Sequence, residues 1–190
     1  MSDRVYFSCA ETAKLVRAAL KKAFPGIKFS VRSSVYSGGA SIRVGWVDGP
    51  SSKAVEAVTS AYAGGGFDGM IDMAYSKESW LMPDGSAAFA SSEGTVGSMG
   101  VYEPYSYAAP APGAKRVSFG ADYIFCNKSW SVPSYTAALE KVCGLYGLEV
   151  PAVKVGVGEP YVDYMPVPNS NGCDLGTLVH RELCSENYPS

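Results

Sequence analysis

No stretch of this chain is apolar for anything near the roughly 20 residues that span a bilayer, so a membrane-crossing helix is not expected. The opening, "MSDRVYFSCAETAKLV", has no basic leader followed by an apolar run, which argues against a secretory signal. Five cysteines (Cys9, Cys126, Cys143, Cys173, Cys184) include no CxxC pair, and their odd number leaves at least one thiol unpaired. That favours a reducing cytoplasm with cysteines as small buried hydrophobes over a Cys173–Cys184 bridge.

Catalytic signatures are scarce as well. There is no GxSxG elbow, no HExxH, no Walker loop and no GxGxxG. Gly64–Gly66 follows a helical pattern, whereas a phosphate-cradling loop should precede one. His180 is the single histidine. A Cys–His nucleophile pair would have to recruit it with Cys126 or Cys173, both distant in sequence and without a local signature, so a surface or satisfied histidine is the plainer reading. Asp68 and Asp72 stand four apart in "FDGMID", a spacing that can hold Mg²⁺ or share a proton, but no third ligand is near and Asp68-Gly69 has the look of a turn. No cofactor or metal is expected, and a binding protein is favoured over an enzyme.

What the chain does hold is turn-forming and aromatic: 21 Gly, 12 Pro and 13 Tyr in 190 residues, with 47% apolar and 18% charged. That is globular composition, enough for one self-sufficient core. The net charge of −2 hides an asymmetry. Residues 1–60 carry nine Lys/Arg against four Asp/Glu, a balance of +5, and residues 61–190 carry seven against fourteen, a balance of −7. A pI near 5.4 argues against a general nucleic-acid binder.

Periodicity gives an α+β layer. Ser8-Cys9-Ala10-Glu11 reads as a capping box, and Ala13, Val16, Leu20 and Phe24 form one helical stripe that Pro25-Gly26 ends. Ile27, Phe29 and Val31 alternate with Lys28, Ser30 and Arg32, and Ile42, Val44 and Trp46 resume the pattern beyond a Ser37-Gly38-Gly39 turn. Asp48-Gly49-Pro50 closes that hairpin, and Val55, Val58 and Tyr62 mark a second helix. The expected core is helix–strand–strand–helix, extended to a mostly antiparallel sheet with helices on one face. Val117, Phe119, Tyr123 and Phe125 are expected to join it as one or two strands. "WLMPDGSAAFAS" suggests a hairpin around Pro83–Gly85, and residues 85–114 read as a flexible loop or insertion. A third helix opens at Pro133-Ser134, Leu148–Val157 reads as a last strand, and the end is irregular with a short helix near Leu175–Leu183. Residues 1–132 are thus expected as the main domain and 133–190 as an extension packed on it.

The words Phe24-Pro25-Gly26, Ser30-Val31-Arg32-Ser33, Tyr36-Ser37-Gly38-Gly39, Trp46-x-Asp48-Gly49-Pro50 and Phe67-Asp68-Gly69-Met70 occur here in one order. With "FGADYIFCNKSWS" downstream, residues 10–132 resemble the large polyvalent protein-associated domain of the type numbered 29. The resemblance implies proteins of phages and conjugative elements, associated with protecting incoming DNA from host defences. It brings no catalytic residue set. The shortness of the chain, set against the giant carriers of such domains, suggests a dedicated small protein of the anti-CRISPR kind, working in the cytoplasm of a bacterial host.

Two candidate surfaces follow from the residues. Lys28, Arg32 and Arg43 form a basic row that is either a solvated face or a phosphate-binding one. Tyr102, Tyr105, Tyr107, Tyr161 and Tyr164 lie among acidic residues in "VYEPYSY" and "PYVDYMP", as either local packing or an interface. The leading expectation is a non-enzymatic inhibitor that binds a host defence complex, a CRISPR effector first among them. The alternatives are a nucleic-acid-binding module that shields incoming DNA, and an unrecognised enzyme acting on nucleic acid or a host protein. The sequence leaves the oligomeric state open.

Overall fold

The computed structural model describes residues 5–70, 72–91 and 109–185. Their elements run β1 (Val5–Phe7), α1 (Cys9–Ala23), β2 (Ser30–Tyr36), β3 (Gly39–Val47), α2 (Ser52–Thr59), a 3₁₀ turn (Ser60–Tyr62), β4 (Gly65–Asp68), β5 (Met73–Ser76), β6 (Glu78–Leu81), β7 (Ala87–Ser91), β8 (Lys115–Phe119), β9 (Tyr123–Ser129), α3 (Val132–Tyr146), β10 (Lys154–Gly156), β11 (Glu159–Tyr161) and α4 (Leu175–Cys184). This is an α+β fold. Two compact units divide it: Met1–Gly45 with Ser52–Asn127, and Trp46–Ser51 with Lys128–Ser190. Among the described residues no helix is long and apolar enough to cross a membrane.

In the first unit the capping box forms as expected. The Ser8 hydroxyl accepts from the Glu11 amide, and the Glu11 carboxylate accepts from the Ser8 amide at 2.8 Å. Lys21 and Lys22 fall in the last turn, where cations suit the helix dipole. Val16 and Leu20 are fully buried, as are Ile42 and Val44 of β3. β2 and β3 pair antiparallel, with Val31 opposite Val44 and Arg32 opposite Arg43. The strand expected from Ile27 pairs only from Ser30 and runs on to Tyr36. Ile27 is instead held in the turn after α1, its amide donating to Phe24, while the Phe24 and Phe29 rings meet at 5.9 Å.

α1 packs on β2 and on α2. The Arg17 guanidinium donates to the Val31 carbonyl at 2.8 Å, and the Cys9 thiol to the Ser41 carbonyl. The residues expected to add strands to the hairpin divide between two sheets. β9 joins β3, giving the order β2-β3-β9. β8 belongs to a sheet of order β1-β8-β6-β7, parallel to β1 and antiparallel to β6. Gly120 separates the two, its amide donating to Phe7 at 2.7 Å. A Cβ there would strike the Tyr6 hydroxyl and lie 2.8 Å from the Phe7 carbonyl, so the chain re-aims where only glycine fits. The hairpin around Pro83–Gly85 is present as β6–β7. Of the loop expected over 85–114, residues 92–108 lie outside the described residues.

In the second unit α3 and α4 build a core of Leu139, Val142, Leu175, Val179 and Leu183 with Val162 and Val167. Ser131 caps α3, and its own amide donates to the Asp48 carboxylate at 3.0 Å. The last strand expected over Leu148–Val157 is shorter. Only Lys154–Gly156 pairs, against β11, through a two-residue turn in which Val157 and Gly158 both have positive φ. That is the turn geometry a tight hairpin requires.

Candidate functional site

Arg32 and Arg43 face each other directly across the β2–β3 ladder, and both are exposed. Paired residues on adjacent strands share a face, so the two guanidinium groups stand on one surface. Four other cations are occupied by carboxylates. Lys22 is paired with Asp84, Arg116 with Glu78, Lys141 with Glu182 and Lys154 with Asp163. Neither Arg32 nor Arg43 has an ion-pair or hydrogen-bond partner among the described residues. Lys28 is exposed but precedes β2, so no strand pairing sets it in the row.

β9 extends the same surface. Its burial alternates, with Tyr123, Phe125 and Asn127 exposed and Ile124 and Cys126 half-buried. The Cys126 sulfur lies 3.5 Å from the Thr59 hydroxyl of α2, so the even positions face the helices. Tyr123 and Phe125 therefore point to the uncovered side, with Arg32 and Arg43. Ala40 lies beside Asp122 and Gly45 beside Asn127, so β3 and β9 run in the same direction and Arg43 comes level with Phe125. The Tyr123 and Phe125 rings are stacked at 6.2 Å, 29° apart in tilt. Both remain substantially exposed, Tyr123 at 40% and Phe125 at 48%. Their alternation in "YIFCN" was visible in the sequence as a strand signal. What it lacked was any mark of which side the helices cover.

At the free edge of β9 lies a groove of about 390 Å³ bordered by Tyr123, Phe125, Glu56, Thr59, Lys77 and Asp122. A second, larger hollow of about 510 Å³ in the same unit is bordered by Cys9, Tyr6, Tyr36, Lys77 and Asp122. Burial pushes the Lys77 ammonium down from its usual value. Burial likewise pushes the Cys9 thiol up, although Cys9 opens a helix, where a thiolate would otherwise be favoured. Cys126 and Cys143 are also raised by burial.

The remaining sequence candidates are scattered. Tyr102, Tyr105 and Tyr107 lie outside the described residues. Tyr161 on β11 and Tyr164 after it are exposed, at 44% and 80%, in the second unit. Asp72 is an exposed turn residue with positive φ between β4 and β5. His180 meets neither Cys126 nor Cys173 by any hydrogen bond. Its Nε2 lies 3.6 Å from the Cys184 sulfur one turn further along α4, an exposed pair that the four-residue spacing could have revealed. All five cysteines are free thiols. Among the described residues no group of three His, Cys, Asp or Glu side chains converges as a metal site would require.

Comparison with known proteins bears on the first unit above all. A family model described as large polyvalent protein associated domain 29 matches residues 7–131. No curated protein and no solved structure matches the chain. The matched span contains both arginines, both stacked rings and the whole β2–β3 hairpin. With well over half its length matched, the chain belongs to the large polyvalent protein associated domain 29 family, and so to the proteins associated with phages and mobile elements.

Proposed function

We propose that the chain is a non-enzymatic binding protein with which a mobile element counters a host defence system, acting as an anti-CRISPR inhibitor does by occupying an effector complex. The Arg32–Arg43 face is its contact surface. The observation that carries this reading is the unopposed cross-strand arginine pair. Like charges placed directly opposite cost a sheet stability, and no carboxylate among the described residues relieves them. An anionic partner would. Family membership supplies the biological setting, and burial raises the thiols of Cys9, Cys126 and Cys143, which favours binding over nucleophilic catalysis at those three positions.

The test is plasmid interference in cells carrying a CRISPR system programmed against that plasmid, with transformation efficiency as the readout. Co-expression of the protein should restore transformation, and the purified protein should block effector cleavage at a fixed molar ratio. The Arg32→Glu/Arg43→Glu double variant should do neither while folding normally. Protection unaffected by the double reversal, or inhibition that turns over at substoichiometric protein, overturns the proposal.

A further inference from the structure

We infer that the uncovered side of the β2-β3-β9 sheet is a platform for single-stranded nucleic acid, with Tyr123 and Phe125 stacking on bases and Arg32 and Arg43 holding phosphates. The inference rests on reading this face as the contact surface, and it names the chemistry of the partner.

The argument begins with the rings. An aromatic side chain buries a large apolar area when it packs in a core, and a soluble sheet gains nothing by leaving two adjacent ones uncovered. Tyr123 and Phe125 occupy consecutive outward positions of one strand with their rings stacked. Such a pair leaves a broad aromatic surface open to solvent. Bases in a duplex are already stacked on one another, so a sheet-borne ring can meet only bases that have been splayed out. Stacking of this kind accepts any base, because every base has a π face.

Charge is then sorted across the three strands. The arginines stand on β2 and β3, the rings on β9, and Glu56 borders the groove at the free edge of β9 together with Lys77. Neighbouring strands lie about 4.8 Å apart, so the arginines are one and two strand spacings from the rings. A strand of nucleic acid laid on this face would set its phosphates over the guanidinium groups and turn its bases toward β9. Base amino groups reaching the edge would find the Glu56 carboxylate as an acceptor there. The opposite orientation would bring phosphates onto Glu56. An acidic peptide would satisfy the arginines but leave the stacked rings without a partner.

Fluorescence anisotropy tests this with labelled 15-residue oligothymidine, the matching oligouridine and a hairpin duplex, each across a salt series. The full chain should bind one or both single strands, the two probes distinguishing DNA from RNA, and should bind the duplex at least tenfold more weakly. Tyr123→Ala and Phe125→Ala should each weaken single-strand binding about fivefold or more with the salt slope unchanged. Arg32→Gln/Arg43→Gln should flatten the slope of log affinity against log salt by roughly 1.4, about 0.7 for each phosphate no longer neutralised. Tyr123→Phe, which keeps the ring, should bind as the parent does, separating stacking from loss of fold. No binding of either single strand at about 50 mM salt, equal binding of the duplex, or indifference to removal of the rings overturns the inference. Plasmid protection that persists without oligonucleotide binding would overturn it while leaving the defence-inhibitor reading intact. Oligonucleotide binding without plasmid protection would do the reverse.

Discussion

The Asp122 carboxylate accepts the Ala40 amide at 2.7 Å, while the Asp122 amide donates to the Ala40 carbonyl at 2.8 Å. This two-point clamp fixes the start of β9 against β3, and so fixes which residues of β9 come level with Arg43. Gly39 lies so close that a Cβ there would strike the clamping carboxylate oxygen.

Gly39→Ala should therefore destabilise the protein by about 1–3 kcal/mol, as an overpacked site does, and Asp122→Ala by about 1 kcal/mol through the lost acceptor. In the double variant the part of the Gly39→Ala penalty that comes from the clash should disappear, while the part that comes from the positive φ of Gly39 stays. Urea denaturation of the four proteins measures the coupling, and full additivity would show that the carboxylate is not what glycine accommodates.

The arginine pair makes a prediction that a purely structural role would not. Arg43→Glu converts a repulsive cross-strand pair into an attractive one and should raise stability by about 0.2–1 kcal/mol. The same substitution should weaken partner binding. A rise in thermal midpoint with a fall in affinity would show that these residues are placed for recognition at the expense of the fold. A fall in both would mean that the arginines have a stabilising contact.

Asp48 sets an acid limit in the second unit. Burial pushes its carboxyl up, but hydrogen bonds from the Ser131 amide and the Ser131 and Ser134 hydroxyls, with the Lys128 charge, outweigh burial and hold it below the ordinary value. A carboxyl depressed in the folded state contributes stability that is present above its unfolded pKa, about 3.9, and is lost as pH falls through the folded one. Stability should decline below about pH 4. Asp48→Asn can keep the bond to the Ser131 amide and tolerates the positive φ at this position. It should be less stable at pH 7 yet decline less in acid, as thermal melts between pH 2 and 7 would show.

Tyr62 sets the alkaline limit. Its ring is buried and its hydroxyl donates to the Gly85 carbonyl at 2.6 Å. Burial, aided by the Asp84 charge, pushes its pKa up to about 12. A phenol raised in the folded state binds its proton more tightly than in the unfolded chain. Its stabilisation is complete below about pH 10 and is lost as pH rises toward 12. Absorbance titration near 295 nm should show late tyrosine ionisation together with loss of fold; burial raises Tyr135 as well, so Tyr62→Phe should diminish the late component rather than abolish it.

Much of the first unit was legible because local signals agreed. Ser8 and Glu11 mark a helix start whatever follows, and the alternation through Val31, Ile42 and Val44 closes on itself across a Gly-rich turn. The third and fourth helices were readable for the same reason. Phe119 and Tyr123 were not separable by pattern. Both are aromatics in an alternating run, and only the re-aiming at Gly120 assigns one to each sheet. β10 and β11 were missed as a pair because their turn uses Val157 at positive φ, a residue type that gives no turn signal.

The sequence by itself determined the four helices and the apolar side of the hairpin, because a period of two or of 3.6 is a property of consecutive residues, whereas the short strands β1, β4, β5 and β11 are too brief to show one. Tertiary structure alone decided the candidate surface. Arg43 and Phe125 are far apart in the chain and meet only because β9 enters beside β3 and the helices cover the other side. Which strand becomes a neighbour depends on clamps such as Asp122 with Ala40 and on close approaches that glycine permits, and those are relations between distant residues that no local period encodes.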